Sequence, residues 1–149
     1  MINYVSVDIP KRSLNKIGRK IVLRLLEENN ILCKYKILGK YLCLKSTNSI
    51  SKNFKDKYGL MESELCESNI EPIYKKIKHL IRKEKKIQTF AIKVERKGQH
   101  KFTSTELAKE LAESVFDLFP KIKVNLGSPD LKVNVKILNN KCIIYTEKK

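Results

Sequence analysis

The chain has 149 residues, 42% of them hydrophobic, which is enough for one domain or two small ones and too periodic for a disordered polymer. No run of about 18 apolar residues occurs, so no membrane-spanning helix is expected, and the opening, broken by Asp8 and Pro10, lacks the apolar stretch of a secretory signal. The 32 lysines and arginines against 16 acids give a net charge of +16, more than solubility requires, and predict a cytoplasmic protein with a polyanionic partner. A generally lysine-rich composition is the other reading of that charge. Clustering argues against it: Lys75, Lys76, Lys78, Arg82, Lys83, Lys85, Lys86, Lys93, Arg96, Lys97 and Lys101 meet only Glu84 and Glu95 between them.

In chain order, residues 2–9 alternate as a strand that Pro10 ends. Ser13 can cap a helix whose apolar face is Leu14, Ile17, Ile21, Val22, Leu25 and Leu26. Lys16, Arg19, Lys20 and Arg24 lie on the opposite face, with Lys11 and Arg12 just ahead of it, and Asn29-Asn30 closes it. Residues 32–38 and 41–45 form two strands joined at Gly39-Lys40. A short polar helix over 49–57 and a strand over 59–66 complete a β-α-β-β-α-β order, the ferredoxin-like arrangement of two helices on a four-stranded sheet. Tyr35 and Tyr41, set among lysines, could stack on bases, although packing with the hydroxyl in water is the commoner fate.

From Ser68 or Asn69 a helix runs to about Lys85, with Ile70, Ile73, Ile77, Leu80 and Ile81 as its apolar stripe. Phe90, Ile92 and Val94 then share one face of a strand that ends in the basic loop Lys97-Gly98-Gln99-His100-Lys101-Phe102. Thr103 as N-cap with Glu106 at the third helical position supplies both partners of a capping box, and Pro120 stops the following helix. Residues 122–126 form a strand, Gly127-Ser128-Pro129-Asp130 a turn, and two strands follow around Asn139-Asn140. Arg96, Lys97, Gly98 and Lys101 beside the first amides of a helix at Ser104 make a phosphate site; an ordinary solvated loop is the competing reading. His100 reads as a polar loop residue, and Phe102 as a staple to the core. The four cysteines form no C-x-x-C pair and read as free thiols.

The segment Phe90-x-Ile-x-Val-x-Arg96-Lys97-Gly98-x-His100-x-Phe102-x-Ser104, followed by Val124-Asn125-Leu126-x-x-Pro129-Asp130, resembles the signature of the THUMP domain. THUMP domains are RNA-binding modules of tRNA-modifying enzymes, and the resemblance covers roughly residues 71–147. It implies a ferredoxin-like domain over 1–68 and a THUMP domain over 69–149, an α+β or α/β fold like the front half of tRNA 4-thiouridine synthetase. The stretch Tyr58-Gly59-Leu60-Met61-Glu62-Ser63 fits that pairing. The opening loop Asp8-Ile9-Pro10-Lys11-Arg12-Ser13 departs from it, lacking the family's glycine.

No nucleotide-binding glycine loop, no zinc-deaminase spacing and none of the family's catalytic motifs occurs, so neither a cofactor, a metal nor catalysis is expected. What the resemblance then implies is a tRNA-binding module whose sequence stops where a catalytic domain would begin. It would grip the acceptor stem and 3′ end through Arg96, Lys97, Gly98, His100, Lys101 and Ser104, with Lys11, Arg12, Lys16, Arg19 and Lys20 extending the contact. The tRNA would be presented to a separate catalytic protein chain, for thiolation to 4-thiouridine or as an adaptor for cytidine acetylation. A homo-oligomer is compatible with this. The readings from other classes are a structural RNA-binding protein of a ribonucleoprotein and an enzyme with an unrecognised site.

Overall fold

The first half forms β1 (Ile2–Ser6), a 3-10 turn (Lys11–Ser13), α1 (Leu14–Asn29), β2 (Cys33–Leu38), β3 (Tyr41–Ser46), α2 (Lys52–Tyr58) and β4 (Leu60–Glu67). The second forms α3 (Ile70–Ile81), β5 (Thr89–Lys97), α4 (Ser104–Leu118), β6 (Lys123–Val124), β7 (Leu131–Leu138) and β8 (Lys141–Lys148). These come from a computed structural model that describes residues 1–98 and 102–149. The chain divides into two compact units, Met1–Ser63 and Glu64–Lys149.

In the first unit the strand order is β2-β3-β1-β4, with every neighbour antiparallel. Both helices serve one core, in which Leu14, Ile21 and Leu25 of α1 and Ile50 before α2 meet Tyr4, Leu42, Leu44 and Leu60 of the strands. This is the ferredoxin-like arrangement that the element order predicts. The buried stripe of α1 is narrower than its periodicity suggests: Leu14, Gly18, Ile21 and Leu25 are buried, whereas Leu26 is exposed. Gly18 belongs to that stripe because the Tyr35 ring lies against it, and a Cβ there would stand 2.6 Å from the ring. Ser13 occupies the N-cap position but makes no side-chain capping bond, since the 3-10 turn ahead of α1 puts it in a helical conformation.

The second unit orders its strands β8-β7-β5-β6. β5 is parallel to both β6 and β7, and β7 and β8 form an antiparallel hairpin through Asn139-Asn140. Ile73, Ile77 and Ile81 of α3 and Leu107, Leu111 and Val115 of α4 pack with Phe90, Val133, Val135, Ile137 and Ile144 in one core. The sequence predicts α3 to Lys85, but it ends at Ile81. Glu84 turns inward to pair with Lys148 at 3.0 Å, and Lys86 takes a left-handed conformation. The four cysteines are unbridged.

Candidate nucleic-acid interface

β5 and α4 set the geometry of the site. The alternation of β5 sends Phe90 into the core and carries the strand out to Arg96 and Lys97, both exposed at its end. The Arg96 guanidinium reaches across the loop, where Nη1 donates to the Phe102 carbonyl at 2.6 Å. Phe102 packs against the core, as its staple reading predicts. The Thr103 hydroxyl accepts from the Glu106 amide at 3.1 Å and so fixes the start of α4. The amides of Ser104 and Thr105 precede any intrahelical partner, and they carry the positive end of the helix dipole. The Arg96 guanidinium is thereby held beside residue 102, just ahead of the helix N-terminus. His100 and Lys101 lie outside the described residues.

Gly98 has a part in the fold beside the ligand approach that its loop position suggests. Its φ is +106, and a Cβ there would stand 2.4 Å from Asn139 Oδ1 and 3.3 Å from Asn139 Cα. The Asn139 amide donates to the Lys97 carbonyl at 2.9 Å. The glycine thus lets the end of β5 nest against the β7–β8 turn.

In the first unit Lys16, Arg19 and Lys20 lie on one exposed face of α1, as spacings of three and four residues require, and Lys11 and Arg12 are exposed in the preceding turn. Among the described residues none of these five, nor Lys97, has an ion-pair partner. Arg24, on the same helix, is engaged instead by Glu28 at 3.1 Å and by the Tyr58 hydroxyl at 2.9 Å, which hold its pKa above the ordinary arginine value. Tyr41 is buried and offers no stacking platform, and Tyr35 is half-buried with its ring against Gly18.

Part of the lysine cluster proves to be paired by acids distant in sequence. Lys76 lies 3.5 Å from Glu64, whose other oxygen is 2.6 Å from His79 Nδ1. Lys78 lies 3.4 Å from Asp117, which also accepts a very short hydrogen bond from the Tyr74 hydroxyl. That bond holds the Asp117 carboxyl low and pushes the Tyr74 phenol up to about 12. Local sequence could have hinted only at the pairs Lys75–Glu71 and Lys93–Glu95. Asp130 was legible as a backbone acceptor. Its carboxylate takes the amides of Gln88 at 2.9 Å and Thr89 at 3.2 Å, and these bonds hold its pKa below the usual aspartate value.

Among the described residues no group of three or more His, Cys, Asp or Glu could hold a metal ion, and no helix is long and apolar enough to cross a membrane. The perturbed carboxylates each sit in a contact that joins fold elements.

Residues 67–147 match the model of the THUMP domain. A probable tRNA sulfurtransferase from Methanocaldococcus jannaschii is 28% identical over 155 residues, covering 93% of this chain and 40% of that protein. A tRNA (guanine(6)-N2)-methyltransferase from Archaeoglobus fulgidus is 32% identical over 85 residues, covering 53% of this chain and 22% of that protein. Among solved structures, a 4-thiouridine synthetase–RNA complex with bound ATP superposes on 99% of this chain and 41% of its own at a TM-score of 0.73 and 16% identity, a likeness of fold. The chain spans about two fifths of the length of these proteins, or less.

Proposed function

Since the chain belongs to the THUMP domain family, an RNA-binding module found in tRNA-modifying enzymes, we propose that it binds tRNA at the acceptor stem and 3′ end and presents it to a separate modifying polypeptide. The observation that carries this is the β5–α4 junction. Arg96 and Lys97, exposed at the end of β5, precede the N-terminus of α4, whose first amides have no intrahelical partner, the arrangement that binds phosphate without sequence preference. Lys11, Arg12, Lys16, Arg19 and Lys20 supply further unpaired cations for a polyanion.

Thiolation to 4-thiouridine is the favoured chemistry of the partner. The similarity to the probable sulfurtransferase extends over 93% of the chain, through both units, whereas the methyltransferase match covers 53%. This stretch itself is proposed to do no bond-making.

Filter binding of an unmodified tRNA transcript tests the reading. Affinity should fall steeply with salt, by a log–log slope of about −0.7 for each single-strand phosphate neutralised. Removing the four 3′-terminal nucleotides should weaken binding at least about tenfold. Lys97→Ala should reduce the slope by nearly one phosphate while leaving the melting temperature alone. A salt-independent affinity, or equal affinity for the trimmed tRNA, would refute the proposal.

A further inference from the structure

The C-terminal end of α4 and strand β6 carry an apolar surface outside the residues proposed above to bind RNA. β6 is the outermost strand of the second unit and pairs only with β5. Ile122 is buried, whereas Val124 in β6 and Leu126, in the bend that follows it, are 54% and 81% exposed. Leu118, at the end of α4, is also exposed, and with Ile87, Phe119 and Pro120 it lines an open depression of ≈ 620 Å³. Lys121 and Lys123 flank this surface, exposed and, among the described residues, without an ion-pair partner.

Three occupants would bury aliphatic side chains there, and charge and chemistry choose between them. A second copy related by a two-fold axis would set one lysine-flanked patch against another, which charge disfavours. Nucleobases stack on aromatic rings, and the aromatic side chain lining the depression, Phe119, is packed against the core. A protein segment with aliphatic side chains bordered by carboxylates satisfies both the exposed leucines and the unpaired lysines.

We propose that the α4–β6 edge is the docking surface for the protein that performs the modification, through an apolar, acid-bordered segment of that partner. This rests on the tRNA-presenting role proposed above.

The test complements cells lacking the chain with full-length variants and quantifies tRNA nucleosides by mass spectrometry. Val124→Thr with Leu126→Asn keeps the charge, and threonine keeps the strand propensity at Val124, the position within β6. The purified variant should melt and bind tRNA as wild type does, yet restore about tenfold less of the dependent nucleoside at matched low expression. Lys121→Gln with Lys123→Gln should lose more restoration than tRNA affinity. Full restoration by both variants overturns the docking surface alone. A nucleoside profile unchanged by deleting the chain overturns the presenting role, and the dock with it. Loss of tRNA binding by the neutral variant makes the surface an RNA contact, and a wild-type dimer that this variant dissociates makes it a self-association face; either result overturns the proposal.

Discussion

Gly98→Ala separates a glycine kept for a ligand from one kept for the fold. At φ +106 an L side chain is strained wherever it points, at a cost of about 1–3 kcal/mol. The new Cβ would also stand 2.4 Å from Asn139 Oδ1, which must rotate away at about 0.5–1.5 kcal/mol. Asn139 cannot retreat as a whole: its amide is bonded to the Lys97 carbonyl at 2.9 Å and its carbonyl accepts from Ser68 Oγ at 2.7 Å. Together the cost is roughly 2–4 kcal/mol, and at about 4–8 °C per kcal/mol for a unit of this size the melting temperature should drop by about 10 °C or more. Calorimetry and urea unfolding measure it. Asn139→Gly removes Oδ1 and tolerates the left-handed turn, so in the double-mutant cycle Gly98→Ala should cost about 1 kcal/mol less in that background. A Gly98→Ala protein that melts like wild type but no longer binds tRNA would refute the reasoning and return the glycine to the ligand.

Thr103→Ala should destabilise the second unit by about 1 kcal/mol, because it removes the acceptor for the Glu106 amide at the start of α4; an unchanged urea midpoint would mean the cap is not formed in solution. Asp130 gives a pH signature. Its folded pKa lies below the unfolded value, so its contribution is present above about pH 4 and is lost as pH falls through the folded pKa. Asp130→Asn should therefore be less stable than wild type at neutral pH, with the gap closing in acid; a gap that stays constant down to the lowest pH measured would show that the Gln88 and Thr89 amides do not depend on the charge.

The elements around the candidate site were legible because their signals are local. Alternation at Phe90, Ile92 and Val94 gives β5, and Thr103 with Glu106 starts α4 where the structure starts it. What was not legible depends on partners far along the chain. Nothing near Glu84 says that Lys148 will draw it in and end α3 early. The strand expected over 122–126 shrinks to Lys123–Val124 because Asn125 turns its side chain onto the amides of Gly127 and Ser128. The Gly98 contact is between residues 41 positions apart, and only the folded β7–β8 turn creates it.

The distribution of the acids explains which cations remain for a partner. In the second unit several acids tie fold elements together: Glu64 with Lys76 and His79, Glu84 with Lys148, Glu95 with Lys93 and Lys136, Asp117 with Tyr74 and Lys78, and Asp130 with two backbone amides, while Glu71 pairs with Lys75 on the surface of α3. Lys136 is buried, so Glu95 answers a charge that the strand could not otherwise hold away from water, and that bond keeps the Glu95 carboxyl low. On α1 only Arg24 among the described residues is answered by an acid, Glu28. Lys11, Arg12, Lys16, Arg19, Lys20 and Lys97 are exposed and, among the described residues, without an ion-pair partner, and in a chain of net charge +16 that is as expected of a surface whose counter-charges belong to another molecule.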